Sequence, residues 1–233
     1  MNEWFADVAY KFQIAFLEGD RWKLYLSGLG VTLQVAVFAA VLGVAIGTVV
    51  ALMKLSVRKD GKRSVFSVIA QIYIDIIRGT PSVLQLLIMW FIVMRGSKNG
   101  ALIAILTFGI NSGAYVSEIM RAGIQAVDHG QMEAGRSLGL SKGQTMRYII
   151  LPQAVKNVLP PIGNEFIVLL KETAIVGYVS LSDLTRTASQ VSSRTFEAFM
   201  PLVGAAVIYF IIIKILSKMI EKLERRLRKG DHR

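Results

Sequence analysis

Long apolar runs alternate along the chain with short polar or basic stretches, and the runs are of membrane-crossing length. The first is uninterrupted, with 30 uncharged residues from Leu24 to Met53 between Lys23 and Lys54. As a helix it exceeds the ~30 Å hydrocarbon layer. Four further runs follow, and together they predict spans at about 24–54, 64–94, 99–125, 152–178 and 198–216. The second holds Asp75 and Arg78; the fourth is interrupted by Pro160-Pro161 and carries Glu165, Lys171 and Glu172. The polar segments alternate in charge. Those at 54–63, 121–156 and 214–233 hold 5, 5 and 8 basic residues, against 3, 2 and 2 at 1–24, 95–99 and 177–199. Basic loops stay on the cytoplasmic side, so five spans with an outside N-terminus and a cytoplasmic C-terminus fit the bias. The expected fold is an all-α integral membrane protein with a single transmembrane domain over 1–233.

Within the first span Ala39, Gly43, Gly47 and Ala51 recur every fourth residue, a small-residue stripe on one helix face. Such a face invites a second helix, inside the subunit rather than across a subunit interface. The N-terminal MNEWFADVAYKFQIAFLEGDRWK is acidic and aromatic where a signal peptide is positive and then apolar, so it reads as mature protein.

Composition agrees with a membrane chain: 233 residues, 53% hydrophobic and 18% charged, with a mean hydropathy of +0.51. The net charge of +11 needs no nucleic acid. The tail SKMIEKLERRLRKGDHR is read as a retention signal beside anionic membrane lipid. With no cysteine and only His129 and His232, thiolate, zinc and haem sites are not expected. The chain has no phosphate loop, nucleophile elbow or HExxH helix, so it is not read as an enzyme, and any energy source is another polypeptide.

The remaining chemistry lies in ionisable residues at membrane depth, which are costly in hydrocarbon and face a partner or a watered path. Asp75 and Arg78 are three apart, about 16 and 21 Å from the inner end of the second span, and are expected to form an ion pair. Gly79-Thr80-Pro81 then loosens the helix, freeing carbonyls to line a cavity or marking a bend. Glu165, beside Asn164 and four residues after the proline pair, is either a substrate-site carboxylate or a buried one bonded to a neighbouring span. Glu118 and Arg121 are expected to pair near the inner interface.

Between the third and fourth spans, DHGQMEAGRSLGLSKGQTMRYIILP at 128–152 is polar and glycine-marked. Its punctuation predicts two short helices. Asp128 with Gln131 resembles an N-cap arrangement, Gly139 fits the left-handed position that ends a helix, Ser141 with Gln144 forms a capping box, and Pro152 opens the next span. Met146, Ile149 and Ile150 share a face that would lie back on the bundle. The first helix offers Glu133, Ala134 and Gly135 for a partner to cover; an interfacial helix resting on lipid is the other reading.

This segment resembles the EAA loop of ABC-importer permeases, with Glu133, Ala134, Gly139, Ile149, Leu151 and Pro152 at the family's spacing. Gly135 replaces the usual second alanine, at a helix-propensity cost of roughly 1 kcal/mol. RGTP at 78–81, AYVSEIMRAGI at 114–124, HGQMEAGRSLGLS at 129–141, LPQA at 151–154 and PPIGNEFIVLLKETA at 160–174 are similar, in order, to the polar amino-acid subfamily. KETA departs from the serine more common after Thr173. The resemblance implies a type I importer in the bacterial plasma (inner) membrane. Its expected partners are ABC ATPase subunits, a second permease subunit, identical or related, and an extracytoplasmic amino-acid-binding protein. No cofactor is expected in this chain, with ATP and Mg on the ATPase. The loop at about 128–151 would carry the short coupling helix, and Gln131, Glu133, Ala134, Gly135 and Gly139 the coupling. Asn164 and Glu165 would line the substrate pathway, with Asp75, Arg78, Tyr115 and Glu118 as further candidates. The alternative is a self-contained ion-coupled carrier or channel, for which midplane charges would be equally natural.

Overall fold

The computed structural model describes residues 2–56 and 64–228. The basic run at 57–63, and the tail at 229–233 with His232, lie outside the described residues. Every regular element among the described residues is helical: α1 (Asn2–Phe12), α2 (Arg21–Leu55), α3 (Val65–Arg78), α4 (Ser82–Ile88), α5 (Gly100–Gln125), α6 (His129–Ser137), α7 (Lys142–Thr145), α8 (Leu151–Glu172), α9 (Leu184–Thr195) and α10 (Phe199–Arg228). Wider five-residue turns follow α1, α4 and α7, and a tight helical segment, Thr173–Val179, follows α8.

Three helical runs are long and apolar enough to cross a membrane: the one ending in α2, α5, and α10. The expected single span at 64–94 is two pieces, Val65–Arg78 and Ser82–Val93, bent by 102°. Each piece alone is short of the ~20 residues a crossing needs. The break falls on Gly79-Thr80-Pro81, where the proline supplies no N–H and disfavours helical backbone before it. The expected span at 152–178 does not meet the apolar criterion. Its helix has 22 residues, enough in length, but it carries Lys156, Glu165, Lys171 and Glu172.

α8 also corrects the expectation of a helix broken at Pro160-Pro161, because both prolines lie inside it. Proline's fixed φ is itself helical, so what is lost is the hydrogen bond each would have given four residues back. Burial of Ala154, Val158 and Ile167 holds the path.

The described chain divides into two compact units. The first comprises 1–39, 82–108 and 168–215. Its core is Tyr25, Leu184, Ala188, Val191 and Ala205, with Phe16, Leu29, Ile208 and Tyr209 against them. α9 lies where a plain outer loop was expected. Asp183 caps it, accepting from the N–H groups of Thr185 at 3.0 Å and Arg186 at 2.9 Å. Leu184, Thr187, Ala188 and Val191 then form its buried face, at the i, i+3, i+4, i+7 spacing of an amphipathic helix. α1 is a helix where sequence reading assigned none. The turn from it into α2 passes through positive φ at Gly19 (60°) and Asp20 (57°).

The second unit comprises 40–81, 109–167 and 216–233, and its centre is the contact between α2 and α5. A side chain at Gly43 would stand 2.9 Å from Ser112 Cβ, and one at Gly47 would stand 2.7 Å from Val116 Cβ. Reciprocally, one at Gly109 would stand 2.5 Å from Leu42, and one at Gly113 would stand 2.7 Å from Ile46. The two helices therefore interlock through glycines four apart on each, as the small-residue stripe predicted. Val50, Ala70, Ile74 and Ala114 extend this core to α3, and Tyr73 Oη donates to the Ile110 carbonyl. Of the three crossing helices α5 is the most enclosed, with 61% of its apolar window buried against 11% for α10.

Gly47→Ala is expected to destabilise the protein by about 1–3 kcal/mol through overpacking against Val116. Gly30→Ala, where nothing lies within 4 Å, should be neutral or mildly stabilising. Thermal unfolding in detergent followed by gel filtration separates the two; equal melting temperatures would contradict the close α2–α5 contact.

Candidate functional site

Both groups of candidate residues fall in the second unit. The first group is the loop after α5. Asp128 caps α6, its Oδ1 accepting from Gly130 N–H at 2.6 Å, and its carbonyl accepts from Gln131 N–H at 3.1 Å. Gly139 ends the helix at φ +85°, a left-handed conformation that costs glycine nothing. Ser141 and Gln144 make the reciprocal capping box that starts α7. Met146, Ile149 and Ile150 close on Val127, Ala154, Ile124 and Met132, so the second half of the loop lies against the ends of α5 and α8. The loop is thus a folded body with both ends pinned.

Its exposed face differs in one respect from expectation. Gln131, Glu133, Ala134 and Gly139 are exposed, whereas Gly135 is buried. A side chain at Gly135 would stand 2.5 Å from Thr145 Cγ2 and 2.9 Å from Ile149 Cδ1. Glycine therefore lets α6 rest directly on α7, and alanine's better helix propensity is outweighed. Gly135 offers no surface to a partner; it sets the thickness of the loop. Sequence reasoning also passed over Leu138, which is 81% exposed at the C-terminal end of α6.

The second group is the polar residues at membrane depth. Glu165 on α8 accepts from Ser112 Oγ at 2.9 Å. Ser112 itself is buried opposite Gly43, so the glycine interlock positions the donor. The expected Asp75–Arg78 pair is replaced by two other contacts. Asp75 accepts from Gln71 Nε2 at 2.7 Å, and Arg78 stacks over the Tyr115 ring with Cζ 5.1 Å from its centroid. Arg78 closes α3 just before the 102° bend, which draws its long side chain to α5 rather than back along its own helix. Glu118 does pair with Arg121, at 2.8 Å from Nη2, and its other oxygen is taken by Lys54. With both oxygens engaged it is a clamp between α2 and α5. Asn164, Asp75 and Arg78 are exposed within the chain. Glu165, Ser112, Arg78 and Tyr115 thus come together, while Asn164 lines a different cavity with Lys156 and Asn157. No group of His, Asp or Glu among the described residues could hold a metal ion.

Residues 43–229 match the family described as binding-protein-dependent transport system inner membrane component. The chain belongs to this family. It is 40% identical over 209 residues to the arginine transport system permease protein of Bacillus subtilis (strain 168), covering 88% of this chain and 93% of that one. It is 35% identical over 209 residues to the glutamine transport system permease protein of Escherichia coli (strain K12), with the same coverage. A crystal structure of an amino acid ABC transporter with histidines matches with a TM-score of 0.81 and 45% identity, over 88% of this chain and 94% of that one. The methionine ABC transporter in an inward-facing conformation has the same fold, with a TM-score of 0.78 at 19% identity over 91% of this chain and 99% of that one. Membership makes the chain a membrane-embedded transport permease of the ABC type rather than an enzyme, and sets aside the self-contained carrier or channel.

Gly135→Ala should loosen the loop despite a helix-propensity gain of ~1 kcal/mol. The expected signs are faster hydrogen exchange across 129–150 and a partial return on adding Thr145→Ser, which removes the clashing methyl. Unchanged exchange in Gly135→Ala would show that α6 and α7 are not in close contact.

Proposed function

We propose that this chain is the pathway-forming permease subunit of an ATP-driven importer of a polar amino acid in the bacterial plasma membrane. It crosses the membrane five times, with the N-terminus outside and the C-terminus and the α6–α7 loop in the cytoplasm. The bent α3–α4 pair and the polar α8 are its second and fourth crossings, shielded from lipid by protein. Partner ATPase subunits bind ATP and Mg, a second permease subunit of the same or a related chain completes the pathway, and an extracytoplasmic binding protein delivers the cargo.

The observation that carries this reading is the build of the loop. It is capped at both helices, closely packed where Gly135 meets Thr145 and Ile149, and presents Glu133, Ala134 and Leu138 outward. A ligand shifts a conformational equilibrium only through differential contacts, and a stiff body joined to α5 and α8 passes such contacts into the membrane. Gln131, Glu133 and Ala134 form the docking face with Leu138; Gly135 and Gly139 give the loop its shape. In the pathway Glu165 is the acceptor for the cargo's ammonium or basic side chain, with Arg78 and Tyr115 beside it as donor and platform. Asp75 lines the same route at its margin. The similarity to arginine and glutamine transport permeases supports a polar amino acid.

Two substitutions test the two halves separately in proteoliposomes containing the whole transporter. Glu133→Lys is expected to abolish uptake and cargo-stimulated ATP hydrolysis while insertion and yield stay normal; retained coupled hydrolysis would contradict the docking role. Glu165→Ala is expected to lower uptake about tenfold or more, the scale of a lost charge-assisted hydrogen bond of ~1.5–3 kcal/mol. Uptake at the wild-type level would remove Glu165 from the pathway.

A further inference from the structure

Where α8 passes its proline pair, the second unit contains a cavity of about 380 Å³ that the pathway just described does not use. Lys156, Asn157, Pro160, Pro161, Asn164 and Glu224 line it. Its volume lies in the ~300–1,000 Å³ range of small-molecule sites, far above what one water fills. We infer that this cavity is a second binding site, for a free zwitterionic amino acid on the cytoplasmic side. The inference rests on the reading above that the loop after α5 is cytoplasmic and that the cargo is an amino acid.

The lining chemistry selects the ligand class. On the cavity wall the Glu224 carboxylate is an acceptor of full charge. The same wall carries donors: the Lys156 ammonium and the amides of Asn157 and Asn164. One Asn157 N–H is committed, donating to the Gly123 carbonyl at 3.3 Å.

A simple anion entering here meets the charge of Glu224. A simple cation meets Lys156. A molecule with an ammonium and a carboxylate a few ångströms apart satisfies both sets at once, with Leu227 and Ala126 against its carbon skeleton. Lys156 and Glu224 each already take part in interactions, so an occupant exchanges contacts rather than adding them. The ethanolamine headgroup of a phospholipid has the same pairing of charges and is the other source of this chemistry.

The chain has no cysteine, so Ala126→Cys places one thiol of this subunit at the cavity rim. The reaction rate of that thiol with a small methanethiosulfonate is measured in the whole transporter, in phosphatidylcholine membranes with the cytoplasmic face accessible. Millimolar glutamine or arginine is expected to slow labelling severalfold, while the N-acetyl and amide derivatives, each lacking one of the two backbone charges, do not. Glu224→Gln should remove the slowing, and a thiol at Leu138→Cys should show none. Labelling indifferent to amino acid while uptake is intact overturns the proposal, as does a thiol that never reacts. Slowing produced only by adding phosphatidylethanolamine also overturns it, by giving the cavity to lipid. If the unmodified transporter takes up no amino acid with ATP, it is the underlying functional reading that fails.

Discussion

Two helices can hold together in hydrocarbon only by touching closely, since lipid tails are as apolar as the side chains they would replace. In this protein that contact is made by glycine. Gly43 and Gly47 on α2 face Gly109 and Gly113 on α5, and each is seated where a β-carbon would meet its neighbour. The polar chemistry of the second unit depends on this fit. It buries Ser112 opposite Gly43, in position to donate to Glu165, and it brings Lys54 to Glu118. Further along α5, Tyr115 meets Arg78. α5 is thus both the buried centre of the unit and the rod to which its charged groups are fixed.

The same device recurs where α5 ends. Gly135 lets α6 sit on Thr145, and the capping box holds α7 at the angle this requires. Ile150 and its neighbours then clamp the pair to Val127 and Ala154. Close packing without void makes a protein segment transmit displacement rather than absorb it. A loop so built is a mechanical part. On the proposed function, its outer residues Glu133 and Leu138 are where a partner takes hold. The family of inner membrane transport components, to which the chain belongs, is consistent with a structure organised around a buried rod and a stiff attached loop.

Features governed by local rules were legible in the sequence. The left-handed turn at Gly139, the Ser141–Gln144 box, the glycine stripe of α2 and the weakness at Gly79-Thr80-Pro81 all follow from backbone chemistry within a few residues. Features decided across the fold were not. The extent of the 102° bend could not be read from three residues, and with it went the partner of Arg78, a tyrosine on another helix. Gly135 was judged by propensity, which is blind to what stands opposite. α9 was hidden by its polarity, although its Asp183 cap and the spacing of Leu184, Thr187, Ala188 and Val191 were present to be read. The helix through Pro160-Pro161 shows that flanking burial can carry a segment past missing donors.

The central claim is that force enters the membrane part through the outer face of α6. The most direct measurement is site-specific photo-cross-linking from position 138 in the purified, assembled transporter, with the adduct identified by mass spectrometry with and without trapped nucleotide. The account predicts an adduct to the ATPase subunit in both states. An adduct only to lipid, or only to the extracytoplasmic binding protein, would contradict it.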